Sequence, residues 1–420
     1  MTIAERYQRS IMPVQPMETS LQFSHGQGCH LYTPDGREYL DLATGIAVNA
    51  VGYSHPRVVA AIEAQVRRHL HLYSGTGYQD ALIDYAEAIL TEVGAGHKLF
   101  FGNSGTEAVE AAIKLARFVT GRPGIIAFRG SFHGRSLGAL SLTDSAARYR
   151  SPYEPLLPSV YHVAYPAPTR LSVDPDQALR LVQQQITSLL ETDIAPDRVA
   201  LIVLEPIQGE GGYVIPPDGF LPWLQDLARA NGILLAVDEV QSGMGRTGRM
   251  FAYQHSGISP DIVIMGKALG GGMPLSAIAA RESIADAWAP GSHGTTFGGN
   301  PVSCAAGLAT LQVIKEEDLM DRAVQLGALA LDRLSPLLRL DAVRDVRGRG
   351  LMVALEFAGP QGGALAPRVM NDMLNEGVIL HTAGLHHEVI RLMPPLNIDD
   401  ESFGRALSTL ARVVEAAARG

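Results

Sequence analysis

The chain has 420 residues, 46% of them hydrophobic and 18% charged, with 44 glycines, which suits a large globular enzyme and is too apolar for a disordered protein. Its 34 basic and 43 acidic residues give a net charge of −9 with no long basic run, so nucleic acid and anionic membranes are not expected partners. Cys29 and Cys304 lack metal-ligand spacing, Met1–Ser20 has no signal-peptide core, and no apolar run is long enough for a bilayer, so a cytoplasmic setting is expected.

Residues 28–42 read as a hairpin turned by Pro34-Asp35-Gly36. Pro56 opens a helix with Val59, Ile62, Val66 and Leu70 on one face, and a second helix over 80–92 turns Leu82, Ile83, Ala86 and Ile89 inward. Strands and helices then alternate. The strands are Leu99–Phe101, Ile125–Phe128, Val199–Leu204, Ile233–Val237, Ile262–Met265 and Leu275–Ala279, short and almost wholly apolar, as in a mainly parallel sheet covered on both faces. Helices at 106–119, 176–191 and 219–230 complete an α/β pattern. One long helix over 303–338 precedes strands at Gly350–Phe357, Val378–His381 and Val389–Met393 and a closing helix. This predicts an N-terminal segment (1–50) packing with a smaller C-terminal α/β domain (306–420), and a large domain (51–305) between them.

Lys267 stands at the end of the Ile262–Met265 run, before Gly270, Gly271 and Gly272, which let the backbone turn sharply and come close to a ligand. A poorly hydrated lysine there loses its proton more readily and can attack an aldehyde; the alternative is a lysine pointing into solvent. Ser104-Gly105-Thr106 opens a largely apolar helix at a strand end, as a phosphate site or as a simple N-cap. In Ser131-Phe132-His133-Gly134-Arg135, Phe132 can lie on a flat ring and Arg135 can clamp a carboxylate, or the two can be core and surface residues. Glu205 and Glu210 flank a glycine-rich loop, and Asp238 ends an apolar strand where a buried carboxylate needs a cationic partner. Arg391, inside an apolar strand, needs an anion. Gly243-Met-Gly245-Arg-Thr-Gly248 matches a dinucleotide fingerprint but has neither the helix nor the distal acid that would confirm it. The pairs His69, His71 and His386, His387 lack metal-site spacing, so no metal is expected.

Together GIAVNAVGYSHP, NSGTEAVEAAIKLAR, SFHGRSLGALSLT, EPIQGEGG, DEVQSGMGRTG, GKALGGGMP and GTTFGGNP resemble the class III aminotransferases. That resemblance implies fold type I, a seven-stranded mainly parallel sheet with a smaller α/β domain, and pyridoxal 5′-phosphate as cofactor. Lys267 would form the Schiff base and shuttle the proton, and Asp238 would hold the ring nitrogen protonated. Phe132 would stack on the ring, Gln241 would sit by its hydroxyl, and Gly105, Thr106 and the partner subunit's Thr296 would hold the phosphate. Ser104, His133, Glu205 and Val240 complete the implied cofactor shell. Arg135 would take a substrate carboxylate remote from the amine, Arg391 the α-carboxylate of glutamate or 2-oxoglutarate, and Glu210 would pair with Arg391 when no such carboxylate is present. Ile46 would border the substrate pocket. A homodimer with shared sites, or a dimer of dimers, is implied. The 4-aminobutyrate aminotransferases are the nearest resemblance, with 2-oxoglutarate as acceptor. Acetylornithine, ornithine or lysine aminotransferase is the alternative, and a racemase on the same fold is the second. Ser74-Gly-Thr-Gly-Tyr78 departs from both aminotransferase patterns where the substrate mouth should lie.

Overall fold

The computed structural model describes residues 1–359 and 361–419. Seven strands form the central sheet in the spatial order His97–Gly102, Ser276–Arg281, Ile262–Met265, Leu234–Asp238, Val199–Leu204, Gly124–Phe128, Val160–Val163. Ser276–Arg281 runs antiparallel to both neighbours and the remaining pairs are parallel. The inner strands are buried end to end because helices cover both faces, which is why they carry no polar alternation. The helix Gly105–Thr120 covers one face with Ala108, Val109, Ala112 and Leu115.

The seventh strand, Val160–Val163, is not among the expected runs. It is an edge strand whose Tyr161 and His162 are only part-buried, so its sequence lacks the apolar signature of its neighbours. A short helix at Ile3–Ser10, opened by a capping box from Thr2 and Glu5, was also not expected.

In Pro56–Arg68 the buried residues are Val58 and Gln65, while Val59, Val66 and Leu70 are exposed. In Asp80–Val93 they are Tyr85 and Ile89, Leu82 and Ala86 pack against the core as expected, and Ile83 is exposed. The expected faces used aliphatic spacing alone, whereas Tyr85 turns inward to donate a hydrogen bond to the Leu269 carbonyl at 2.5 Å. The expected 303–338 helix is two helices, Pro301–Glu316 and Leu319–Leu334, broken where Asp318 takes a left-handed φ of 52°. Three acidic residues, Glu316, Glu317 and Asp318, stand at the negative end of the first helix dipole and favour stopping there.

Val343–Arg349, Met352–Phe357, Val389–Leu392 and His381–Ala383 form a four-stranded antiparallel sheet. The N-terminal strands His25–Gln27, His30–Tyr32 and Glu38–Asp41 form another, which the C-terminal strand Val378–Ile379 joins in parallel to Glu38–Asp41. Among the described residues no helix is long and apolar enough to cross a membrane.

Candidate active site

The strands His97–Gly102, Gly124–Phe128, Val199–Leu204, Leu234–Asp238 and Ile262–Met265 all end at one edge of the sheet, where open α/β sheets place their ligands. Gly105, Phe132, Glu205, Asp238 and Lys267 each follow or close one of these ends.

Lys267 sits on a left-handed turn with φ 49°. Burial pushes its amine down to about 8, and Arg391 adds to the effect against Glu210, Glu205 and Asp238. Gly271 is needed less for a ligand than for the chain itself. A Cβ there would lie 2.2 Å from Thr310 Oγ1 and 2.8 Å from the Ala306 carbonyl, so the loop lies directly on the Pro301–Glu316 helix. The Tyr85 hydroxyl fixes the same loop at Leu269.

Asp238 is buried and accepts from His133 Nδ1 at 2.7 Å and from the Val240 N–H at 3.0 Å. Burial alone would lower the His133 pKa, but the Asp238 carboxylate outweighs it and raises it. Glu205 is also buried, accepting from the Phe132 N–H at 2.9 Å and the Gly209 N–H at 2.7 Å. Burial pushes its carboxyl up to about 7. Glu205 therefore fixes Phe132 through its backbone. Gln241 is buried with its Oε1 unpartnered, and His133 Nε2 is unpartnered too.

At the start of the Gly105–Thr120 helix Ser104 occupies the cap position but its side chain makes no cap bond. Its hydroxyl turns to Glu107, whose carboxylate accepts from the Asn103 N–H at 2.9 Å. A Cβ on Gly105 would come within 3.1 Å of the Val240 side chain and press it aside, so glycine keeps that cradle open. The Thr106 hydroxyl lies 2.6 Å from that of Ser136. Thr296 is exposed, in a loop that meets the Gly105 end through Thr295 and Asn103.

Arg391 is 2% exposed and pairs with Glu210 at 2.6 Å, while its Nε is unpartnered. Burial opposes ionisation of Glu210, yet Arg391 and Lys267 together hold its carboxyl below the ordinary range. Arg135 is exposed, its guanidinium 4.5 Å from the Tyr149 ring and 5.8 Å from Phe132. Sequence reasoning missed Tyr149, which carries no local sign of facing Arg135. Ile46 belongs to a turn in which Thr44, Gly45, Ile46 and Ala47 all have positive φ, 51°, 64°, 66° and 59°. The turn is held by Asp41, which accepts from the Ala43 and Thr44 N–H groups at 2.7 and 3.0 Å, and Ile46 packs on the cluster that includes Tyr213, Ala354 and Met393. The Gly243–Gly248 stretch forms turns rather than a nucleotide-binding helix, and its buried Arg246 reaches the Leu351 and Pro394 carbonyls at 3.3 and 2.5 Å.

A lysine of depressed pKa, a buried carboxylate–histidine pair, unpartnered buried donors and acceptors and an uncapped helix N-terminus suit pyridoxal phosphate, and with the sheet topology they define a fold type I pyridoxal-phosphate transferase. The chain belongs to the class-III aminotransferases: that family's model matches residues 11–414. The acetylornithine aminotransferase of Methanothermobacter thermautotrophicus is 42% identical over 393 residues, 93% of each chain. The 4-aminobutyrate aminotransferase of Mycobacterium leprae is 39% identical over 396 residues, 90% of this chain and 87% of that one. The solved ornithine aminotransferase of Toxoplasma gondii, with partial occupancy of PLP at its active site, superposes with a TM-score of 0.86 at 30% identity, covering 99% of this chain and 94% of that one.

Proposed function

We propose that the enzyme moves the δ-amino group of N-acetylornithine, or of a close ornithine-type donor, to 2-oxoglutarate, giving a semialdehyde and glutamate. The observation that carries this reading is the pairing of buried Arg391 with half-buried Glu210 at 2.6 Å beside Lys267. A donor whose reacting carbon bears no carboxylate leaves Arg391 without a substrate anion, and Glu210 then keeps the buried cation paired. When glutamate or 2-oxoglutarate binds, Glu210 swings aside and Arg391 takes the α-carboxylate. Arg135, resting on Tyr149, takes the carboxylate remote from the amine. Support for N-acetylornithine over 4-aminobutyrate comes from the relatives: the 42% identical chain is an acetylornithine aminotransferase and the 4-aminobutyrate enzyme follows at 39%.

Pyridoxal phosphate, when bound, supplies an aldehyde for the lysine amine and a ring that draws off electrons from the reacting carbon. Asp238 would keep the ring nitrogen protonated, with His133 fixing its carboxylate. Phe132 would cover one ring face, Val240 would lie beside the Gly105 cradle, and Gln241 would meet the ring hydroxyl. Ser104, Gly105 and Thr106 would hold the phosphate with the partner subunit's Thr296. Lys267 Nζ is the group that takes the proton from the donor carbon and returns it. The depressed pKa leaves that amine able to accept it near neutral pH. Glu205 holds Phe132 in place, and Ile46 forms part of the pocket wall. In this reading the chain works as a homodimer, which would cover the exposed Leu70, Tyr73, Tyr78 and Phe297. Its large part spans 51–305 and its smaller part 306–420, joined by 1–50.

Turnover of N-acetylornithine, ornithine, lysine and 4-aminobutyrate with 2-oxoglutarate tests the proposal. N-acetylornithine is expected to lead in kcat/KM. A lead for 4-aminobutyrate would overturn the donor assignment, and racemisation of an amino acid without any keto acid would overturn the transaminase reading.

A further inference from the structure

The antiparallel sheet aligns a row of side chains beside the Glu210 loop. Arg347 pairs with Ala354, Ala354 with Arg391, and Arg391 with His381, so all four lie on one face of adjoining strands. Arg347 and Arg391 are two strands apart, ~10 Å, and Ala354 between them leaves room for the loop. The two arginines divide the loop. Arg391 takes the Glu210 carboxylate. Arg347 donates to the Tyr213 carbonyl at 3.1 Å and to the Gly212 carbonyl, and Arg170 donates to the Gly211 carbonyl. Three consecutive carbonyls following Glu210 are thus held by guanidinium groups, while the Gly384 N–H holds the Glu210 carbonyl at 3.1 Å. Arg347 is in turn fixed by Glu356 at 2.7 Å and Asp345 at 2.8 Å, and Glu356 is 4% exposed. The segment it grips is not at ease: after Gly212, Tyr213 is held at a left-handed φ of 56°.

We propose that Arg347 is a positioning residue for the Glu210–Arg391 pair. By gripping the backbone after Glu210 it fixes the carboxylate against Arg391 and confines opening to the Glu210 side chain. It thereby sets the balance between a donor with no carboxylate at the reacting carbon and a substrate such as glutamate whose reacting carbon bears one. This rests on the exchange of Arg391 partners proposed above. Loosening the grip weakens the closed pair, so glutamate no longer has to break it, and N-acetylornithine faces an Arg391 that is less well paired.

The test measures the two half-reactions of the holoenzyme separately, by cofactor absorbance, with glutamate and with N-acetylornithine. Arg347→Gln is expected to raise the ratio of kcat/KM for glutamate to that for N-acetylornithine by about tenfold, in the direction of Glu210→Gln. The double variant is expected to go no further than Glu210→Gln alone, since both act on one pair. Arg347→Lys, which keeps the charge toward Glu356, is expected to recover part of the shift. If Glu210→Gln shifts the ratio but Arg347→Gln lowers both half-reactions alike, or adds fully in the double variant, Arg347 is only structural and the inference fails. If Glu210→Gln itself leaves the ratio unchanged, the exchange of partners fails and the inference with it. Should Arg347→Gln not fold, Arg170→Gln, which leaves the Arg347–Glu356 pair intact, is expected to shift the ratio the same way. An unchanged ratio there overturns the proposal.

Discussion

Lys267 offers the most direct quantitative check. An ordinary lysine titrates near 10.5, and burial brings Lys267 to about 8. At about pH 7.5 the neutral fraction is then about a quarter instead of about 0.1%, a gain of roughly 200-fold in reactive amine. The chain has only four lysines, Lys98, Lys114, Lys267 and Lys315, so competitive labelling with acetic anhydride reads each one separately by peptide mass spectrometry. The protein is first stripped of cofactor by incubation with excess amino donor and dialysis, which leaves the Lys267 amine uncombined. Labelling of Lys267 is expected to reach half its maximum near pH 8. Lys98 serves as reference because Asp286 and Glu282 hold its ammonium, raising its pKa. Removing the opposite charge in Glu210→Gln should shift the Lys267 midpoint lower, and removing the like charge in Arg391→Met should shift it higher. A Lys267 midpoint at or above 10 would refute the argument from burial.

Two further outcomes are expected. Asp238→Asn removes the anion that keeps the His133 pKa raised, and should lower kcat by about 100-fold, about 2.7 kcal/mol, with loss of yellow colour on dialysis; full activity and retained cofactor would contradict the role given to Asp238. Glu239, buried, has its carboxyl raised from 4.5 to about 7 by burial, against hydrogen bonds from Ser242 and the Tyr253 N–H. Because the folded value is the higher one, its contribution favours folding below 4.5 and is lost as pH rises through about 7, a change of order 3 kcal/mol. Denaturant unfolding at pH 5 and 8 should show a smaller pH difference for Glu239→Gln than for the unaltered enzyme, and equal differences would rule the linkage out.

Much of this site is legible in the sequence because its residues close strands that are themselves conspicuous. Asp238 and Lys267 stand out as charges at the ends of apolar runs, and the geometry of an open sheet brings those ends together. Glu205 and Glu210, five residues apart, take opposite fates that the sequence does not separate: one is shut in against backbone N–H groups, the other meets Arg391. What stays hidden depends on side chains arriving from far away. Tyr85 reads as a polar residue until the Leu269 carbonyl gives its hydroxyl a partner, so it is left out of a helix face that is otherwise expected at Leu82, Ala86 and Ile89. Arg347 reads in the sequence as one arginine among several in Val343–Arg349, and its register opposite Ala354 and Arg391 exists only once three strands have paired. Val160–Val163 is hidden for the reverse reason: an edge strand tolerates polar residues and leaves no continuous apolar run.

The left-handed turn at Thr44–Ala47 has a consequence for anyone reshaping the donor pocket by laboratory evolution. Wall substitutions usually trade fold stability for new substrates, which limits how many a protein can accumulate. At position 46 the native isoleucine is β-branched at a φ of 66°, a conformation that is unfavourable by roughly 1–2 kcal/mol for an L-residue. On the proposed placement of Ile46 in the pocket wall, Ile46→Gly or Ile46→Asn would enlarge the pocket and relax the backbone at once, so the relief offsets part of the lost packing against Tyr213 and Met393. This makes position 46 a favourable first step for a library seeking bulkier amines, leaving stability in reserve for the changes that follow.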